Sequence, residues 1–63
     1  MLSKEDYLKY LDQMEAIEAH MIDVYSQCLS LVDDGEMKNE FVSLIEAEKR
    51  HSRMVVSAKN LFL

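Results

Sequence analysis

The chain has no proline and a single glycine, Gly35, so helix-breaking punctuation is confined to one place, Asp33-Asp34-Gly35. That tripeptide is a turn or helix C-cap signal. On either side of it run segments rich in Leu, Met, Ala, Glu and Lys, all strong helix formers. Ser3 is placed as an N-cap, with Asp6 three residues on standing in for the capping-box acid. Glu5 and Asp6 open the first segment, and Glu36 and Glu40 open the second. Lys49, Arg50, Arg53 and Lys59 gather towards the end of the second, a polarity that suits the helix macrodipole. The pattern predicts helices over about residues 4–32 and 36–60 with a turn at 33–35. The fold class is all-α: one antiparallel hairpin spanning 1–63, because a short connection makes consecutive helices antiparallel neighbours.

A 63-residue chain buries only a modest fraction of its surface, and chains of this size usually need a metal, a disulfide or another copy. Cys28 is the only cysteine, which excludes an intrachain disulfide. Acidic Glu5 and Asp6 stand where a signal peptide carries its apolar run, and no apolar stretch approaches the ~20 residues of a bilayer span. The expectation is a cytoplasmic protein with no membrane partner. A net charge of −5 argues against nucleic acid, whose phosphates call for clustered Lys and Arg.

The apolar periodicity draws a seam on each helix. In helix 1 it runs through Tyr7, Leu11, Met14, position 18, Met21, Tyr25, Cys28 and Val32. In helix 2 it runs through Met37, Phe41, Leu44, positions 48 and 51, Val55, Ala58 and Phe62. Helix 1 is apolar on both flanking rows as well, with Leu8, Ile22 and Leu29 on one side and Tyr10, Ile17, Val24 and Leu31 on the other. So wide an arc exceeds what one hairpin partner covers. The reading is therefore a homo-oligomer, a dimer at minimum, with helix 1 touching more than one neighbour.

Both seams are interrupted at their middles, by Glu18 in helix 1 and by Glu48 and His51 in helix 2. Carboxylates are costly at buried positions. Counted from the turn at ~1.5 Å rise per residue, Glu18 lies at ~24 Å, Glu48 at ~21 Å and His51 at ~25 Å. The three share one level. Glu48-Lys49-Arg50-His51 places its Glu and His a turn apart on one helix face, opposite Glu18. Doubling the hairpin about a two-fold axis collects four Glu and two His. That is the ligand set of the ferritin-like di-iron and di-manganese carboxylate bundles.

Glu18, Tyr25 seven residues on, and Glu48 with His51 in a second helix resemble the half-ferritins of the encapsulated-ferritin type, over about residues 11–55. The resemblance implies a hairpin that dimerises into a ferritin-like four-helix bundle and completes a ferroxidase centre only at the subunit interface. It implies oxidation of Fe(II) by O2 in iron storage or detoxification, with Glu18, Glu48 and His51 as iron ligands and Tyr25 near the centre. Tyr25 is equally well read as an aromatic filling the seam. The resemblance further implies an encapsulin-type protein shell as partner. The C-terminal extension that targets such proteins to a shell has no counterpart up to Leu63. The family also carries extra acidic sites near the iron entry route, whereas the neighbouring positions here are Ile17 and His20, so an accessory site would be different.

Glu15, one turn from Glu18, is a reserve ligand in a bridging or ion-access role. His20 falls off the seam, and Cys28 reads as a small core residue. Manganese and zinc compete with iron for the same oxygen and nitrogen donors. Two other readings fit the chain. One is a non-catalytic dimerisation module whose seam polars set register. The other is a relative of rubrerythrin-like peroxidases, against which stands the lack of a Cys-x-x-Cys centre.

Overall fold

A computed structural model describes residues 2–62. Two helices, α1 (Lys4–Leu31) and α2 (Gly35–Phe62), pack along their whole length as an antiparallel hairpin about 48 Å long. The described residues include no strand.

Helix α1 begins where the sequence places it. Ser3 is extended (φ −82°, ψ 169°), its hydroxyl accepts from the Asp6 amide at 3.1 Å, and Asp6 Oδ2 accepts from the Ser3 amide at 3.0 Å. This reciprocal capping box satisfies two of the amides that a helix start leaves unpaired. The connection differs from the expected turn at 33–35. α1 ends on Val32, extended at φ −92°, ψ 143°, whose amide still donates to Cys28 O. Asp34 is then the N-cap of α2: its Oδ1 accepts from the Glu36 amide at 3.3 Å and its carbonyl accepts from Lys38 at 2.9 Å. Gly35 is the first residue of α2 and has no positive φ, so it is not a left-handed C-cap. The aspartate before it starts the second helix rather than the glycine ending the first.

A Cβ built on Gly35 meets nothing within 4 Å. Gly35→Ala is therefore expected to stabilise the hairpin by about 0.4–1 kcal/mol, mainly by restricting the unfolded chain. Chemical denaturation reads this directly, and a loss of stability would contradict the assignment of Gly35 to the helix. At its other end α2 runs two residues past the expected stop, because Phe62 stacks on Tyr7 with ring centroids 5.5 Å apart and planes 12° from parallel. Tyr25 and Phe41 form a second aromatic contact nearer the connection, centroids 6.4 Å apart and tilted by 44°.

The covered face of α1 follows Leu8, Leu11, Glu15, Glu18, Ile22, Tyr25 and Leu29. That of α2 follows Phe41, Ile45, Glu48, Ser52, Val55, Lys59 and Phe62. On α2 this row lies beside the one drawn from periodicity: Ile45 is buried, whereas Leu44 and Met37 are exposed. Tyr7 and Met14 of the expected α1 seam are exposed too. An apolar stripe several rows wide has two edges, and only one of them faces the hairpin partner. Ile45, Val55 and Glu48 are the only buried residues among those described, while Tyr10, Ile17, Val24, Leu31, Met54 and Leu61 all stand exposed. The hairpin by itself has scarcely any core.

Candidate metal centre

The covered rows bring Glu18 and Glu48 face to face at mid-length, and the i,i+3 spacing in α2 carries His51 to the same level. One donor atom from each of the three residues lies within 4.8 Å of the others. His51 Nδ1 is 3.9 Å from Glu18 Oε2 and 3.8 Å from Glu48 Oε1. These separations are too long for hydrogen bonds. They suit a shared cation better, since two donors each ~2.1 Å from one ion stand at most ~4.2 Å apart.

The carboxylates are nearly covered, with side chains 15% exposed at Glu18 and 10% at Glu48, whereas His51 is 54% exposed. One oxygen of each, Glu18 Oε2 and Glu48 Oε2, is buried and has no hydrogen-bond partner. A buried acceptor without a partner costs about 1–3 kcal/mol, and more when it is charged. A cation resolves that cost. Two carboxylate oxygens and an imidazole nitrogen are also the donor set that first-row divalent metals accept. The residues present therefore fit a metal ion of this kind. One hairpin supplies three donors, fewer than such an ion takes, and the cluster opens into a groove lined by Leu11, Met14, Met54, Val55 and Ala58.

The other expected site residues lie apart from this group. Tyr25 is half-buried against Phe41, two helical turns (~10.5 Å along the axis) closer to the connection than Glu18. In the single hairpin it fills the seam. His20 is exposed, and Cys28 is a half-buried free thiol. The structure does not bring Glu15 into the group. Glu15 Oε2 instead accepts from Lys59 Nζ at 2.8 Å, and the same ammonium lies 2.6 Å from Asp12 Oδ1.

Lys59 is the residue that reading the sequence misses, because as a basic residue near a helix end it passes for a partner of the macrodipole. The available signal is its place on the packing row of α2, where a lysine interrupts an apolar file just as Glu15 does on α1. Hydrogen bonds to Asp12 first and Glu15 second push the Lys59 pKa up to about 12, from an ordinary 10.5. A folded-state pKa above the unfolded one stabilises the fold fully below the unfolded value. The bridge is thus intact across the neutral range and is lost only as pH rises through about 12.

No helix among the described residues is long and apolar enough to cross a membrane. No protein-family model, curated protein or solved structure matches the chain.

Proposed function

We propose that two hairpins close face to face into a four-helix bundle, and that the closed bundle is a ferroxidase-type di-iron protein. The observation that carries this reading is the Glu18–Glu48–His51 group, three donors within 4.8 Å of one another from residues whose two carboxylates each keep a buried oxygen without a partner. Doubling supplies four Glu and two His for two ions, so four carboxylate charges balance two divalent cations. The substrate is Fe(II): two ions give up one electron each, and one O2 takes both electrons and two protons from solvent to leave as hydrogen peroxide. Glu18 and Glu48 bind the cations, and His51, half exposed at the edge of the group, supplies a neutral nitrogen. The apolar lining of Leu11, Met14, Met54 and Val55 excludes water once a second hairpin covers it. Six protein ligands for two ions leave coordination positions open for O2.

Surface area supports the pairing. The hairpin exposes 4831 Å², where a compact monomer of its mass exposes ~4,200 Å². A compact body of twice that mass exposes ~7,000 Å². Closing two hairpins into one therefore removes ~2,700 Å² in all, within the range of permanent dimer interfaces.

The test is an anaerobic Fe(II) titration of metal-free protein, read by native mass spectrometry so that ions and chains are counted together. About two ions per pair of chains are expected, absent from Glu48→Gln and His51→Ala, with oxidation in air faster than that of free Fe(II) at the same pH. Dimers that take up no metal would leave Glu18, Glu48 and His51 as register-setting polar residues and end the ferroxidase reading. Binding without accelerated oxidation would reduce it to a metal-binding bundle.

A further inference from the structure

The charged residues on the two packing rows, with His51 beside them, fall into two sets. Glu18, Glu48 and His51 form the cluster, and beyond it, away from the connection, Glu15 meets Lys59. Glu15 and Glu18 lie three residues apart on the covered face of α1, so their Cβ atoms are ~5–6 Å apart. Both side chains lean towards the N-terminus, so their carboxylates can stay about as close as their Cβ atoms. A free Glu15 side chain therefore has the reach to bind the same cation. The two residues are chemically identical, and only their surroundings separate them. Lys59 spans the helices to hold Glu15 at 2.8 Å and Asp12 at 2.6 Å, with only a quarter of its own side chain exposed (25%). These three residues line a separate depression with Ala16 and Ala19, sharing no residue with the groove beside the cluster.

We propose that Lys59 is a positioning residue that keeps Glu15 off the metal, so that each chain offers three ligands rather than four. The inference rests on the di-metal reading and says what sets its ligand count. A second α1 carboxylate at each ion would occupy a position that O2 needs and add a negative charge to a balanced site. By holding Glu15 in an ion pair on the other side of the packing row, Lys59 leaves that position open.

The experiment is a suppressor series in the full chain, read by the same anaerobic Fe(II) titration, with helicity followed by circular dichroism. Glu18→Gln is expected to weaken binding at least ~10-fold. Adding Lys59→Gln frees Glu15 to take over, restoring two ions per dimer and at least ~10-fold of the lost affinity. A further Glu15→Gln abolishes the rescue, and Lys59→Arg, which keeps the ion pair, gives none. Lys59→Met is made in parallel, so that the result does not depend on how one substitution affects folding. A purely structural lysine would lower thermal stability and restore no metal. Helical Glu18→Gln/Lys59→Gln and Glu18→Gln/Lys59→Met variants that bind no better than Glu18→Gln, beside a wild type that binds, would overturn the role of Lys59 alone. A wild type that binds no Fe(II) would instead overturn the di-metal reading and this inference with it.

Discussion

Metal-free protein carrying Glu18→Leu and Glu48→Leu together is expected to unfold at a higher temperature than the wild type, and to bind no metal at all. The two carboxylates are 15% and 10% exposed, and each has a buried oxygen without a hydrogen-bond partner. Without a cation they repel each other and are poorly solvated, so exchanging buried charges for apolar groups of similar volume gains about 1–4 kcal/mol. For a domain this small, each kcal/mol raises the melting temperature by roughly 4–8 °C. The two residues are neighbours, so their effects will not add, and the double variant is the one to measure. The opposite result, a double variant less stable than metal-free wild type, would mean that the carboxylates support the fold themselves. The partnerless oxygens would then no longer call for a cation. The comparison separates function from structure: a residue kept for stability is missed when it is removed, whereas one kept for a ligand is missed only when the ligand is added.

That group was legible in the sequence because it depends on counting alone. Residues at equal distance from one turn share a level, whatever the details of side-chain packing, and Glu18, Glu48 and His51 are so placed. The Ser3–Asp6 capping box was legible for a similar reason, being complete within four residues. Asp33-Asp34-Gly35 was not, because an aspartate before a glycine serves equally well to begin a helix or to end one. What decides is the backbone at Val32 and Gly35. The choice of Ile45 over Leu44 was hidden by the breadth of the apolar stripe, since adjacent rows of similar character leave the angular position of the contact open. Lys59 was hidden by distance along the chain. Its partner Glu15 is 44 residues away, and no local pattern pairs a lysine with a glutamate across that separation.

The breadth of that stripe leads to the second expected result: placing charge on the open face, with Met14→Glu and Met54→Glu together, should abolish association and most of the helical structure with it. Both methionines line the groove beside the cluster and both are exposed in the single hairpin. Ordinary exposed methionines tolerate such changes within about 0.5 kcal/mol. Among the described residues the hairpin buries only Ile45 and Val55 as an apolar core, and the proposed closure of two copies would supply the missing burial. A chain whose folded state is the dimer has a stability that depends on concentration. The wild-type melting temperature should therefore rise with protein concentration, while the double variant, monomeric by sedimentation, should show little helical circular dichroism at micromolar concentration. A monomeric double variant that keeps full helicity would show that the hairpin folds alone, and the open face would then have to be explained without a second copy. A dimeric double variant with intact metal binding would place the interface elsewhere, and the two half-sites would no longer meet through this groove. The expected result would tie the three deficits of the lone hairpin to one event: its thin core, its exposed apolar stripe and its three-donor cluster would all be completed by a second copy closing on the same face.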